Sequence, residues 1–415
     1  MTKIDELIQE LCPDGVETFP LEECCNILDK KRKPVTKNSR EKGEYPYYGA
    51  NGVQDYVSDY IFNGKFVLVG EDGSVITKSG TPVVTWAEGK IWVNNHAHVI
   101  EEKSGTMLRY LYFYIQTIDV TSLIHGNIPK LTGRDFRSLK IALPPLEIQR
   151  EIVSILDNFT NLTAELTAEL TARKTQYGYY RDKLLEVETD IHKYTLGEIA
   201  TVTKLAGFEF TNYVTYSERG NIIALRGLNV KNGKLDLSDV KYIDKSDFSK
   251  LERSKLHIGD MLFTYVGTVG QVAIVDEEDK YYLAPNVALI RFDKKILLPQ
   301  YMKYYFQTTQ FWDKQIRRLL QSSSMQNIPM EKIRKFEIIV PPFDVQNRIV
   351  NVLDNFEKIC SDLNIGLPAE IEARQKQYEY YRDKLLTFAE TGNTILSRAE
   401  QSRAEQSRAE QSRAE

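Results

Sequence analysis

The chain has 415 residues, 42% of them hydrophobic and 27% charged, a globular composition too long for a single core. Its formal charge of -4 weighs against a uniformly basic nucleic-acid binder, but residues 1–160 hold 18 Lys+Arg against 22 Asp+Glu while residues 196–356 hold 22 against 19, so the second half is locally basic. MTKIDELIQELCPDG lacks an apolar leader, no uncharged apolar run approaches the length of a membrane span, and Cys12, Cys24, Cys25 and Cys360 form no CxxC pair; a reduced, cytoplasmic protein that does not span a membrane is expected.

Along the first variable stretch, the cationic run Lys30, Lys31, Arg32, Lys33 suits phosphate tracking or a solvated loop. Residues 57–73 and 83–100 are short apolar or alternating runs rich in Val, Ile and Tyr, bounded by Gly, Asp and Asn, and predict strands. Asn94 to His98 alternates as a strand would, which puts His96 and His98 on one face. We read that pair as polar strand surface rather than as metal ligands, with Asn95 and His96 as candidates for base edges. LRYLYFYIQ at 108–116 predicts a helix, and Gly126 and Asn127 stand in the place that a longer polar loop takes in the second half.

At Pro144-Pro145 the pattern changes. A strand ends and a long helix begins, with positions 152, 156, 159, 163, 166, 170, 173, 177, 180 and 184 stepping by fours and threes. Eight of these ten are apolar or aromatic, Thr163 and Arg173 being the exceptions, so they form a heptad seam. Within it, 163–173 reads TAELTAELTAR.

The same signature returns later. LPPLEIQREIVSILDNF at 143–159 matches VPPFDVQNRIVNVLDNF at 340–356, an offset of 197; RKTQYGYYRDKLL at 173–185 matches RQKQYEYYRDKLL at 374–386, an offset of 201; NIPK at 127 matches NIPM at 327. The layout is variable, repeated, variable, repeated. Four extra residues in the second helical copy, together with Gly366 and Pro368, predict a break near Pro368 and renewed helix to about Leu386. Two matching seams satisfy each other as an antiparallel pair, and a helix of about 40 residues spans roughly 60 Å. Tyr177, Tyr180, Tyr378 and Tyr381 are expected in that packing.

The second variable stretch again reads as α+β. Residues 259–275 and 281–292 predict strands, GTVG at 267–270 a turn between them, and 299–321 a helix. Arg317 and Arg318 precede the polar run Ser322, Ser323, Ser324, Met325, Gln326, Asn327, a loop of flexible donors suited to DNA. Tyr265 and Thr268 are further candidates there. The expected organisation is 1–146 and 193–343 as globular domains, 147–192 and 344–390 as helical spacers, and 391–415 as a low-complexity tail.

Catalytic signatures are missing. The Pro-Pro pairs follow Leu143 and Val340, which cannot hold an adenine amine as an Asn/Asp-Pro-Pro-aromatic loop does, and neither a Gly-rich cofactor loop after a strand nor a Walker lysine occurs. The tail SRAEQSRAEQSRAEQSRAE has no apolar stripe and is expected to be solvated. The unit AGCAG repeated in DNA translates as Ser-Arg-Ala-Glu-Gln in every frame, so slippage by one unit would preserve the repeat and shift whatever frame follows, the expectation for a phase-variable gene.

Taken together, the duplicated PP-x-x-x-Q-x-x-I-V-x-x-L-D segment, the Q-Y-x-Y-Y-R-D-K-L-L ends and the RSKLHIGDMLFTYVGTVGQVAIV and LAPNVALIRF blocks resemble the specificity subunits of type I restriction-modification systems. The TAEL run resembles the subgroup with a central tetrapeptide repeat. The resemblance implies two target-recognition domains separated by two long helices packed as an antiparallel coiled coil, with a pseudo-twofold internal repeat. It also implies a non-catalytic chain that reads a bipartite, asymmetric site in double-stranded DNA. Two modification subunits and then restriction subunits would dock on it, and S-adenosylmethionine, ATP and Mg would be bound by those partners, with no cofactor or metal in this chain. The alternative is a coiled-coil scaffold carrying two protein-binding domains.

Overall fold

The computed structural model describes residues 3–73, 75–186, 193–320, 326–362 and 365–391. Two units emerge, one made of residues up to 166 together with those from 371 onward, the other of residues 167–370. Ser322, Ser323, Ser324, Met325 and the SRAEQ tail lie outside the described residues.

In the first unit a six-stranded sheet runs in the order Asn26–Ile27, Ala97–Glu101, Phe62–Gly70, Val84–Val93, Lys42–Gly49, Gly52–Val57. Its centre is the antiparallel pair Phe62–Gly70 and Val84–Val93, in register from Phe62 opposite Ile91 to Val69 opposite Val84. Side chains alternate across a strand, so Val67 and Val69 face the helix Leu108–Ile115 in the main core, while Phe66 and Leu68 join Ile91 and Val99 in a second cluster on the other face. The expected continuous strand through Asn94–His98 is corrected. The strand stops at Val93, residues 94–96 turn, and a new strand starts at Ala97. Asn94 causes the stop: its Oδ1 accepts from the His96 amide at 2.8 Å, the side-chain-to-backbone turn that Asn favours.

The second unit carries a four-stranded antiparallel sheet (Ala200–Lys204, Val287–Phe292, Met261–Thr264, Val272–Ile274) and a three-stranded one (Lys241–Tyr242, Ile223–Leu225, Tyr281–Leu283). Strands fall inside both predicted stretches. The helix expected over 299–321 is broken instead: Pro299–Phe306 ends, and after Thr308 the chain re-enters as Thr309–Phe311, a π-turn Trp312–Arg317 and Arg318–Leu320. Thr308 does this by capping. Its hydroxyl donates to the Tyr305 carbonyl and accepts from the Phe311 amide, which starts a new helical segment.

The helices fall as the seam predicts. One helix covers Leu146–Leu185, and the second copy is split into Phe343–Ser361 and Leu367–Thr391, with the interruption next to Pro368 and the end a few residues beyond Leu386. Ile152 and Leu156 are buried, and most of the other seam positions are partly so; Arg173 and Tyr180 are exposed.

Each unit pairs the start of one helical copy with the end of the other. Phe159 stacks on Tyr381 at 5.3 Å in the first unit, and its repeat equivalent Phe356 stacks on Tyr180 at 5.8 Å in the second. Leu386 and Leu185, also equivalent, are each 1% exposed in the two respective cores. In the second unit Tyr180 meets Phe356 and Leu185 shares a core with Leu353, so the two segments run antiparallel. Tyr378 and Tyr177 pack against the two cores as expected, whereas Tyr381 and the exposed Tyr180 join the pairing through their ring stacks.

Candidate nucleic-acid interface

Each domain is closed onto its helix by the same small set of bonds. Thr18–Pro20 pairs antiparallel with Lys140–Ala142, and Lys193–Thr195 with Glu337–Ile339. The Tyr110 hydroxyl donates to the Ala142 carbonyl at 2.7 Å, and Tyr301 donates to Ile339 at 3.2 Å. At the helix starts, buried Gln149 donates to the carbonyls of Pro144 and Gly105 and accepts from the Met107 amide. Gln346 does the same with Pro341, Ile296 and Leu298. A buried carboxamide with three bonds fixes the angle at which a domain leaves its helix, because each lost bond would strand a polar group away from water. These equivalences extend into stretches whose sequences appear unrelated.

In the first domain Lys30, Lys31 and Lys33 are exposed on the segment that follows the edge strand Asn26–Ile27. Arg32 points inward. Its guanidinium pairs with Glu71 at 2.6 Å and donates to the carbonyls of Asp29 and Ala97, so it braces the turn rather than reaching a phosphate. His98 is buried, stacks flat on Phe136 at 4.1 Å, and places Nδ1 2.7 Å from Asp29 and Nε2 3.1 Å from the Leu131 carbonyl. Burial pushes the Asp29 carboxyl up, but hydrogen bonds from His98 and the Val99 amide, with Arg32 beside it, outweigh burial and hold it below the ordinary carboxylate value.

Asp29, Glu71 and His98 bring their ligand atoms within 4.8 Å of one another, close enough to converge on a single cation. Arg32 and Lys130 already sit on Glu71, at 2.6 and 3.2 Å, and supply the positive charge. The cluster is therefore an internal brace. His96, far from sharing a face with His98, lies half-exposed in the turn and pairs with Asp72. Asn95 is exposed beside it, and Asn127 is exposed on the turn between the short strands Ile124–His125 and Lys130–Leu131.

In the second domain the structure gathers several candidates. The Gly267 amide donates to the Gln326 carbonyl, Val266 bridges Asn327, and the Ile328 amide donates to Tyr265. Tyr265, Thr268, Gln326 and Asn327 thus share one rim, with Thr268, Gln326 and Asn327 exposed. GTVG is the turn expected, with φ of 78° at Gly267 and 86° at Gly270. Arg317 is exposed and pairs with Asp313 on its own turn; Arg318 is exposed next to it.

Beside this rim is a groove of about 790 Å³ lined by Phe210, Tyr216, Arg226, Lys231, Thr268 and Asn286 among others. A smaller one of about 310 Å³, with Arg181, Trp312 and Arg317, adjoins it through Asn232 and Gln271. The sequence reading passed over Arg226, Lys231 and Asn232. A signal was present: Lys231-Asn232-Gly233-Lys234 is the Asn-Gly pattern of a tight hairpin, and Val230–Lys231 does pair with Lys234–Leu235. The surface carries Arg226 and Lys231, ion-paired with Asp239 and Asp236, beside the amides of Asn232 and Gln271 and the rings of Phe210 and Tyr216, side chains of the kinds used on phosphates and base edges.

The Type I restriction modification DNA specificity domain matches twice, over residues 13–173 and 188–373. The chain is 36% identical to a putative type I restriction enzyme specificity subunit of Haemophilus influenzae, over 90% of this chain and 96% of that one. It is 34% identical to the specificity subunit of EcoR124I/EcoR124II from Escherichia coli, over 69% and 72% respectively. Its fold matches the S subunit of a type I restriction-modification system from M. genitalium with a TM-score of 0.52 at 13% identity, covering 90% of this chain and 97% of the other. A chain from work on complex assembly and conformational transition of the type I R-M system matches with a TM-score of 0.58 at 14% identity, over 91% and 98%.

Proposed function

The chain belongs to the type I restriction-modification DNA specificity family, and from that premise we propose that it reads a bipartite, asymmetric site in double-stranded DNA. It is the non-catalytic specificity component; its relatives are named specificity subunits. Each domain reads one half-site, and the helices set the untouched gap. The internal repeat offers two similar faces to two identical modification subunits, on which restriction subunits assemble. S-adenosylmethionine, ATP and Mg act in those partners, in the cytoplasm; among the described residues no helix is long and apolar enough to cross a membrane. The domains would be 1–146 and 193–343, with spacers 147–192 and 344–390.

The observation that carries the reading is the cationic, amide-bearing groove of the second domain, presented on a scaffold moored through Gln346. Lys30, Lys31, Lys33, Asn95, His96 and Asn127 are the corresponding contacts proposed for the first domain, and Arg317, Arg318, Thr268, Gln326 and Asn327 for the second. Mapping adenine methylation in the host with and without the gene tests this. One two-part motif that loses its methylation with the gene is the expected result; an unchanged map would favour the scaffold alternative.

A further inference from the structure

We infer that Asn232 is a specificity-determining residue of the second domain, its side-chain amide reading a base edge at one position of that domain's half-site. This rests on the DNA-reading function proposed above and names a residue within it.

Three observations converge on Asn232. It occupies the tip of a two-residue hairpin, with φ of 49° at Asn232 and 85° at Gly233, the left-handed pair that such turns require and that Asn and Gly supply. The tip is held rigidly. The Asn232 amide donates to the Gln271 side chain at 3.0 Å, and the Gly233 amide donates to the Val272 carbonyl at 2.9 Å. A Cβ on Gly233 would lie 2.6 Å from the Gln307 side chain and 3.0 Å from Lys303. Lys234 then pairs with Glu357 on the repeated helix at 3.2 Å. The hairpin is thereby fixed to the segment that also carries Gln346.

What the tip presents is an exposed carboxamide with no side-chain hydrogen bond among the described residues. It stands on the ridge where the two grooves meet, with Arg226 and Lys231, paired with Asp239 and Asp236, on one side and Arg181 and Arg317, paired with Asp182 and Asp313, on the other. The pairs of Lys231 and Arg317 are exposed and therefore weak, which leaves a cation on each flank able to turn to a phosphate strand of a duplex, and a rigid amide between them suits a base. Asn is the side chain that can pair bidentately with adenine through N6 and N7 in the major groove. A polar side chain serving only the turn would have no need of this placement, since glycine would serve as well.

That equivalence supplies the test. Asn232→Gly keeps the left-handed backbone and removes the amide, and Asn232→Asp keeps the shape and removes the donor. The full chain, assembled with its modification subunits, selects duplexes from a randomised pool, and selected duplexes are compared by competition across salt concentrations. The wild type is expected to define two half-sites. Both variants are expected to lose preference at one position of one half-site by roughly 10- to 100-fold, with the other half-site and the salt dependence unchanged. A wild-type motif reproduced unchanged by both variants overturns the role of Asn232 alone, as does a sequence-independent loss with a shallower salt slope, which would mark a phosphate contact. A wild-type pool with no motif overturns the DNA-reading function itself.

Discussion

The junctions where the two domains meet their helices share a framework and differ in charge. Asp157 and Asp354 are repeat equivalents, each directly following a buried seam leucine, Leu156 or Leu353. In the first unit Asp157 takes Arg109 at 2.7 Å, and that guanidinium packs against Trp86, Tyr112 and Phe113 at 4.6 to 4.9 Å. In the second, Asp354 takes the hydroxyl of Tyr304, which also reaches Glu357, and Lys303 pairs with Glu357 at 2.7 Å. The domain helix has changed its residues while the need to satisfy the same helix carboxylate has persisted. Burial, with the two carboxylates next to it, drives the Tyr304 hydroxyl far above the ordinary tyrosine value, so it stays a donor. Repeated segments here dictate a requirement, and each variable domain meets it with its own chemistry.

The shared part of the framework gives the largest expected effect. Gln149→Leu and Gln346→Leu each strand an amide and two carbonyls and should each cost about 3 to 5 kcal/mol, in equal measure. Urea unfolding followed by hydrogen exchange at the Met107 and Leu298 peptides would check this. A clear inequality would break the claim that the two junctions are built alike.

The differing part comes next. Arg109→Met should cost more than Lys303→Met, about 3 against about 2 kcal/mol, because Asp157 loses its paired cation and three rings lose the guanidinium, whereas Glu357 keeps Lys234 and the Tyr304 hydroxyl. Equal losses by the same assay would mean that the partners left to the carboxylate do not decide the cost.

A smaller effect is local to Asp29. Its lowered value stabilises the first domain above the ordinary 3.8; that contribution is lost as pH falls through the lowered value. Trp86 and Trp92 report on the first unit and Trp312 on the second. Asp29→Asn should reduce the acid sensitivity that the tryptophans of the first unit register below about pH 4 and leave that of Trp312 unchanged, since the second unit has lowered carboxylates of its own in Asp236, Asp244 and Glu357.

Much of the scaffold was legible in the sequence because heptad spacing, Pro-Pro starts and the 197 and 201 offsets are local signals. The finer repeat was not. Tyr110 and Tyr301, or Leu21 and Leu196, are single residues whose equivalence appears only when both are seen to bond or bury at the same place. Likeness of sequence also misled. NIPK and NIPM share three residues, yet Ile128 is 68% exposed and Ile328 fully buried, because the loop they meet pairs with Lys130 in one unit and with Asn327 in the other. At the site, a cationic run pointed to Arg32, which an acidic neighbour far along the chain turns inward, whereas the Asn-Gly hairpin was a readable local signal whose placement between two grooves was not. The exchange of helix ends between units is a long-range pairing that no window of sequence contains.

The central claim, two readers held at a set separation by the helices, is tested most directly by changing the TAEL run at 163–170 by one unit. Four residues alter the helix by about 6 Å. Methylation mapping of insertion and deletion variants should show both half-sites retained and the gap between them changed by one or two base pairs, longer for insertion and shorter for deletion; a gap that stays constant would contradict the account.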